Sequence, residues 1–147
     1  MEKSKDSIEL YSNQILSLAA NIPLTERLLS PDITVTKRSR LCGSTVTIDL
    51  IMKNEIIVDY AHEIKACALG QASASILAKD ILGKTSTQII RARNSVVQML
   101  NTVNYSHDIF SDYEVLLPAS QFKNRHDSIL LPLDATVEGI DKILSAL

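Results

Sequence analysis

The stretch HEIKACALGQASASI, residues 62–76, decides the reading of this chain. Up to Lys65 apolar and polar residues alternate as in a strand. From Cys67 onward small residues and Leu69, Ala72, Ile76 and Leu77 recur at helical spacing. One cysteine, Cys67, stands at that change of period, and the other, Cys42, lies 25 positions upstream.

Working outward, Ile33–Arg40 (ITVTKRSR), Ser44–Lys53 (STVTIDLIMK) and Glu55–Lys65 (EIIVDYAHEIK) each carry the period of two that marks a half-buried strand. In the third strand the period runs through Ile56, Val58 and Tyr60. Asn54 and Glu55 predict a tight turn, so the second and third strands form an antiparallel hairpin. Ahead of the strands, Ile8, Tyr11, Ile15 and Leu18 give an amphipathic helix over Ser7–Ala20, ended by Asn21 and Pro23. Behind them, a helix spans Cys67–Leu82 with Gly83 as its cap, and Ser86 or Thr87 opens another carrying Ile89, Ile90, Val96, Val97 and Leu100. The polar run NTVNYSHDIFSDY, residues 101–113, reads as a surface loop. Glu114–Pro118 leads into a helical turn near Ala119, and a last helix spans Asp127–Leu147, with Pro132 near its start as a source of kink or delay. These elements predict an α+β fold: one domain over residues 1–147, a three-stranded antiparallel sheet with helices packed mainly on one face.

Composition narrows the function. With 147 residues, 46% hydrophobic and 22% charged, the chain can bury a core without disulfide staples. A net charge of −2 argues against nucleic acid as a partner, because phosphate-tracking surfaces need an excess of Lys and Arg. MEKSKDSIEL is charged where a secretory signal is apolar, and no run approaches the roughly 18 apolar residues of a membrane span. A cytoplasmic protein off the membrane is expected, with two free thiols.

Cys67 at a helix start gains from unpaired backbone amides, which favour thiolate. Cys42 sits in SRLCGST, where Gly43 permits unusual backbone angles and Lys37, Arg38 and Arg40 supply positive charge. The competing reading of both is a small buried hydrophobe. Arg125–Ser128 (RHDS) is the other dense group of possible ligands, although Asp127 or Ser128 also suits the N-cap of the last helix. His62 and His107 read as surface histidines. The four glycines are too dispersed for a phosphate loop, the basic residues of KTSTQIIRARNS read as a solvated helix face, and no Ser/His/Asp or paired-carboxylate pattern occurs.

The succession LCGS, hairpin, ACALGQASAS helix start, GKT helix start and RHDS before the last helix resembles the iron–sulfur cluster assembly scaffold family, the NifU N-terminal (SufE/NifU-like), IscU and SufU-like proteins. The resemblance covers nearly the whole chain, and DSILLPLDA resembles the family's third-cysteine segment. It implies that Cys42 and Cys67 are the cofactor-binding and metal-binding thiols, that Ser44 stands at the family's aspartate position and Ser128 at its third-cysteine position, and that Asp127, with His126 beside it, is an auxiliary ligand. The chain thus departs from the family at two of four ligand positions. What the resemblance implies is a scaffold rather than an enzyme: a protein that binds iron or zinc and sulfur, holds a transient iron–sulfur cluster or zinc, and passes cluster or sulfur on. A cysteine desulfurase would be the sulfur donor and apo-proteins the recipients, with a homo-oligomer able to complete a four-ligand shell. Two alternatives stay open: a cluster-less binding or regulatory module on the same fold, and a sulfur-transfer protein with a persulfide intermediate.

Overall fold

A computed structural model describes residues 11–102 and 104–147. Helix α1, Asn13–Ala20, is capped by Ser12, whose hydroxyl accepts from the Ile15 amide at 3.3 Å. The part of the expected first helix before Tyr11, including Ile8, lies outside the described residues. Strands β1 (Ile33–Arg38), β2 (Thr45–Lys53) and β3 (Ile56–Lys65) form an antiparallel sheet in the order β1-β2-β3. The hairpin turn is Asn54–Glu55, at φ 54° and 62°, the left-handed pair that a two-residue connection requires.

The period of two does not run through β3 as expected. Register shifts between Ile51 and Met52, because Ile51 pairs with Asp59 while Met52 pairs with Ile57. The extra residue, Val58, is a bulge that inverts the phase. Ile56 and Val58 therefore face solvent, at 39% and 43% exposure, whereas Ile57 and Tyr60 are buried. His62, in phase with Tyr60, is buried as well, which overturns its reading as a surface histidine: its Nε2 donates to the Pro23 carbonyl at 2.8 Å.

Val35, Val46, Ile48, Leu50, Met52 and Tyr60 make the apolar face of the sheet. Over it lie α2 (Ala68–Asp80) and the long α4 (His126–Ser145), with α3 (Ser86–Asn101) packed on α4. The opposite face is polar: Thr36 and Thr47 pair hydroxyls at 2.9 Å, and Asp49 is buried beneath residues 27–28. Arg27 grips both Asp49 oxygens at 2.6 and 3.0 Å, while Leu28 N (3.0 Å) and Thr34 Oγ1 (2.7 Å) donate to the same carboxylate. Burial pushes this carboxyl up, and those four donors together hold it below the ordinary 3.8.

Four further expectations need correction. Gly83 is not the cap of α2, whose C-cap is Ile81; at φ 90° it turns the chain back so that its amide donates to Ile57 O at 2.8 Å. The helix opener at α3 is Thr85, one residue earlier than expected, in a reciprocal capping box with Gln88. Part of the supposed surface loop at 101–113 is structured, since Ser111–Gln121 is a 3-10 helix that buries Tyr113, Leu116 and Ala119. Those residues are spaced by three, the repeat of that helix and not of an α-helix. The Tyr113 hydroxyl donates to Ser73 O at 3.0 Å, deep against α2. Pro132 does not delay α4; it lies inside the helix and is buried. No described helix is long and apolar enough to cross a membrane.

Candidate functional site

The turn between β1 and β2 is closed by Ser39 N to Ser44 O at 2.8 Å and Gly43 N to Ser39 O at 3.0 Å, with Gly43 at φ 71°. A left-handed residue there lets the chain double back and set the Cys42 and Ser44 side chains together. Cys42 is exposed; its thiol donates to Ser39 Oγ at 3.3 Å and lies 3.0 Å from Ser44 Oγ. Ser44 is buried and sits 3.3 Å from the fully buried Ser128 Oγ, in the first turn of α4. Ser128 Oγ in turn lies 3.5 Å from the sulfur of Cys67, the N-cap residue of α2. A chain of sulfur, hydroxyl, hydroxyl, sulfur thus joins the turn, α4 and α2.

Gly70 makes the approach of α4 to α2 possible. A Cβ at that position would collide with Ser128 Oγ and stand 2.7 Å from Ala66 Cβ. The small-residue run therefore serves helix–helix contact here: Ser73, one turn on, donates to Ile129 O at 2.6 Å.

Both thiols are held below the ordinary 9.0. For Cys42, burial pushes upward, and the Ser39 and Ser44 hydroxyls, the Ser44 amide and the Ser128 hydroxyl together outweigh it. The expected basic flank is not the leading cause, and Lys37 is bound to Glu138 at 3.0 Å. For Cys67, half-buried, burial again pushes upward and is outweighed by the Ser128 hydroxyl, the Gly70 and Leu69 amides and the positive charge of Arg125. When either sulfur is a thiolate, its serine neighbours turn donor.

Of the residues singled out in the sequence, the structure brings together Cys42, Ser44, Cys67 and Ser128. Among the described residues, neither Asp127 nor His126 is hydrogen-bonded to these four. Asp127 is exposed, on the rim of a recess of about 250 Å³ shared with Arg38, Arg40 and Asp134. Buried His126 turns its Nε2 to the Ala119 and Ser120 carbonyls, each at 3.1 Å. Neither Asp127 nor Ser128 caps α4, which begins at His126 with Arg125 in the cap position and no side-chain cap bond. His107 is half-buried, with Nε2 at 3.1 Å from Met99 Sδ. Sequence reasoning missed Ser39 and Arg125 as partners of the thiols; SRLCGS held the signal for Ser39, a hydroxyl three residues before the cysteine.

Zinc takes four donors and a two-iron cluster takes four ligands. This site offers two sulfurs and two hydroxyls, which coordinate poorly unless ionised, and among the described residues no three His, Cys, Asp or Glu side chains are grouped to hold a metal ion. The residues present do not fit a four-coordinate metal within one chain.

The family model described as NifU-like N terminal domain matches residues 10–127. The Bacillus subtilis protein named zinc-dependent sulfurtransferase SufU is 25% identical over 134 residues, 90% of this chain and 90% of that protein. The Thermotoga maritima iron–sulfur cluster assembly scaffold protein IscU is 21% identical, over 91% of this chain and 94% of its own length. Among solved structures, a nitrogen-fixing NifU-like protein (N-terminal) from Brucella abortus superposes with a TM-score of 0.93 at 37% identity, covering 97% of this chain and 99% of that one. The fold is also that of the Fervidobacterium islandicum chain described as a putative scaffold for the SUF system, at a TM-score of 0.84, 19% identity and coverage of 91% and 98%.

Proposed function

The chain belongs to the NifU-like N-terminal domain family of iron–sulfur cluster assembly scaffolds, and on that premise we propose that it handles sulfur for cluster assembly, accepting it on Cys42 and passing it on. One observation carries this reading: Cys42 and Cys67, from a turn and a helix start, converge on hydroxyls bonded to each other, with Ser44 and Ser128 between them. Such hydroxyls favour the thiolate, which is the nucleophile of sulfur transfer.

The donor is a persulfide, as a cysteine desulfurase carries. The Cys42 thiolate attacks its terminal sulfur, a new sulfur–sulfur bond forms, the donor's sulfur–sulfur bond breaks, and the donor leaves as thiolate while the proton stays on the transferred sulfur. The name of the Bacillus subtilis relative, a sulfurtransferase, supports this over a purely structural role. A cluster is cargo in this reading: one chain contributes two thiolates, and the remaining ligands come from a second copy of the chain or from the recipient apo-protein. The work is cytoplasmic. The Ser44–Ser128 bond favours a second reading, a cluster-less regulatory module, because two former ligand positions satisfy each other.

The deciding experiment incubates the protein anaerobically with a cysteine desulfurase, cysteine and ferrous iron, and follows intact mass, iron and acid-labile sulfide. One sulfur atom gained by the Cys67→Ser variant, and by the wild type at early times, is expected, and it should be lost with Cys42→Ser. Equal sulfur on the Cys42→Ser/Cys67→Ser double variant removes the acceptor role, and no sulfur on any form leaves the regulatory module.

A further inference from the structure

Two thiols are present where accepting sulfur needs one, and the second is placed to act on the first. Cys42 is exposed on a turn whose neighbours Arg40 and Leu41 are also exposed, so a bulky donor reaches it. Cys67 is half-buried at the start of α2 and fixed by the helix behind it. Between them stand Ser44 and Ser128, with successive contacts of 3.0, 3.3 and 3.5 Å. Neither hydroxyl is a strong enough ligand to retain a metal ion there, so both sulfurs remain open to chemistry with each other.

Resting on the reading of Cys42 as acceptor, we propose that Cys67 is a resolving thiol that converts the Cys42 persulfide into free sulfide within one chain. The Cys67 thiolate attacks the inner sulfur of the Cys42 persulfide. A Cys42–Cys67 disulfide forms, the bond between Cys42 Sγ and the sulfane sulfur breaks, and that sulfur departs with its hydrogen as hydrosulfide. The sulfane sulfur is reduced by two electrons and the two cysteine sulfurs are oxidised by two, so no outside oxidant enters. A thiol reductant resets the pair. The moving part is the turn: Cys42 swings over the two serines while Gly43, in the left-handed region, bends the chain behind it. The product is the oxidation level of sulfur that a cluster contains.

The test uses inorganic polysulfide as sulfur source on the whole chain, rapid desalting, and then sulfide release and intact mass against time, with no added reductant. Wild type is expected to release one sulfide per chain and finish two hydrogens lighter, with Cys42 and Cys67 found in one linked peptide. Cys67→Ser and Cys67→Ala are expected to keep a persulfide on Cys42 at least tenfold longer. A wild-type persulfide as long-lived as that of both variants overturns the resolving role and leaves the acceptor role standing. Absence of sulfur on Cys42 in every form overturns both.

Discussion

Ser44 Oγ lies 3.3 Å from Ser128 Oγ, 84 residues later in the chain, and this one contact separates the sulfur of Cys42 from that of Cys67. It fastens the β1–β2 turn to the first turn of α4. It also fills with hydroxyls the space where stronger donors would complete a metal shell, so the thiols meet oxygen instead of a cation.

Replacing those hydroxyls should create the missing shell. Ser128→Cys puts a third sulfur at the midpoint of the chain of contacts, and its zinc affinity should rise by at least about tenfold, the equivalent of roughly 1.4 kcal/mol. Ser44→Asp should add to the gain with a carboxylate beside Cys42. Competition with a chelator at fixed pH measures both; no gain in a folded Ser128→Cys protein would show that the sulfurs cannot share one ion.

The hydroxyls should also govern thiol reactivity. Because both thiol pKa values lie below the ordinary 9.0, the thiolate persists as pH falls beneath that value, and alkylation rates should decline at lower pH than for a free thiol. Cys42, exposed, should react faster than half-buried Cys67. Ser39→Ala combined with Ser44→Ala removes two of the donors to Cys42, moves its rate profile to higher pH, and should slow its alkylation at neutral pH on the order of threefold to tenfold. An unchanged profile would assign the shift elsewhere.

Gly70→Ala tests the approach of the helices. The added methyl would strike Ser128 Oγ and stand 3.1 Å from Ser128 O, so α2 and α4 must part at the site. A loss of about 2 kcal/mol in urea unfolding is expected. Ser128→Gly in the same chain should restore part of it, by removing the hydroxyl that is struck. Full stability of Gly70→Ala would contradict the packing described.

Asp49 should make the protein acid-sensitive. Its carboxyl is held below 3.8 in the folded state, so its contribution is present above the unfolded value and is lost as pH falls through the folded one. Stability should therefore drop below about pH 4. Asp49→Ala, which removes the shared acceptor of Arg27, Leu28 N and Thr34, should lower stability at neutral pH and flatten that acid limb. Urea midpoints against pH would check both.

Local periodicity carried most of the fold. Alternation at Val46, Ile48, Leu50 and Met52, the change to helical spacing after Cys67, and the Asn54–Glu55 turn are properties of short windows, and the strands, the hairpin and α2 follow from them. The bulge at Val58 was not legible, because a single inserted residue leaves composition unchanged while inverting which side chains face inward, and it decided the burial of His62. The helical turn expected near Ala119 is there, but Tyr113 and Leu116 escaped notice because a spacing of three is neither a strand's nor an α-helix's.

The sequence by itself determined which residues were chemically able to form a site: two thiols, one in a glycine-permitted turn and one at a helix start, with serines at the two other positions that the family resemblance marked. Which of them meet was decided by tertiary packing. Cys67 and Ser128 are 61 residues apart and come together because Gly70 lets α4 lie close on α2. Once Ser128 points inward, Asp127 and His126 cannot share its direction, since successive residues of a helix are turned about 100° from one another; Asp127 faces solvent and His126 the 3-10 helix. Residue types are written in the chain, but the phase of a helix about its axis is fixed only by what it packs against.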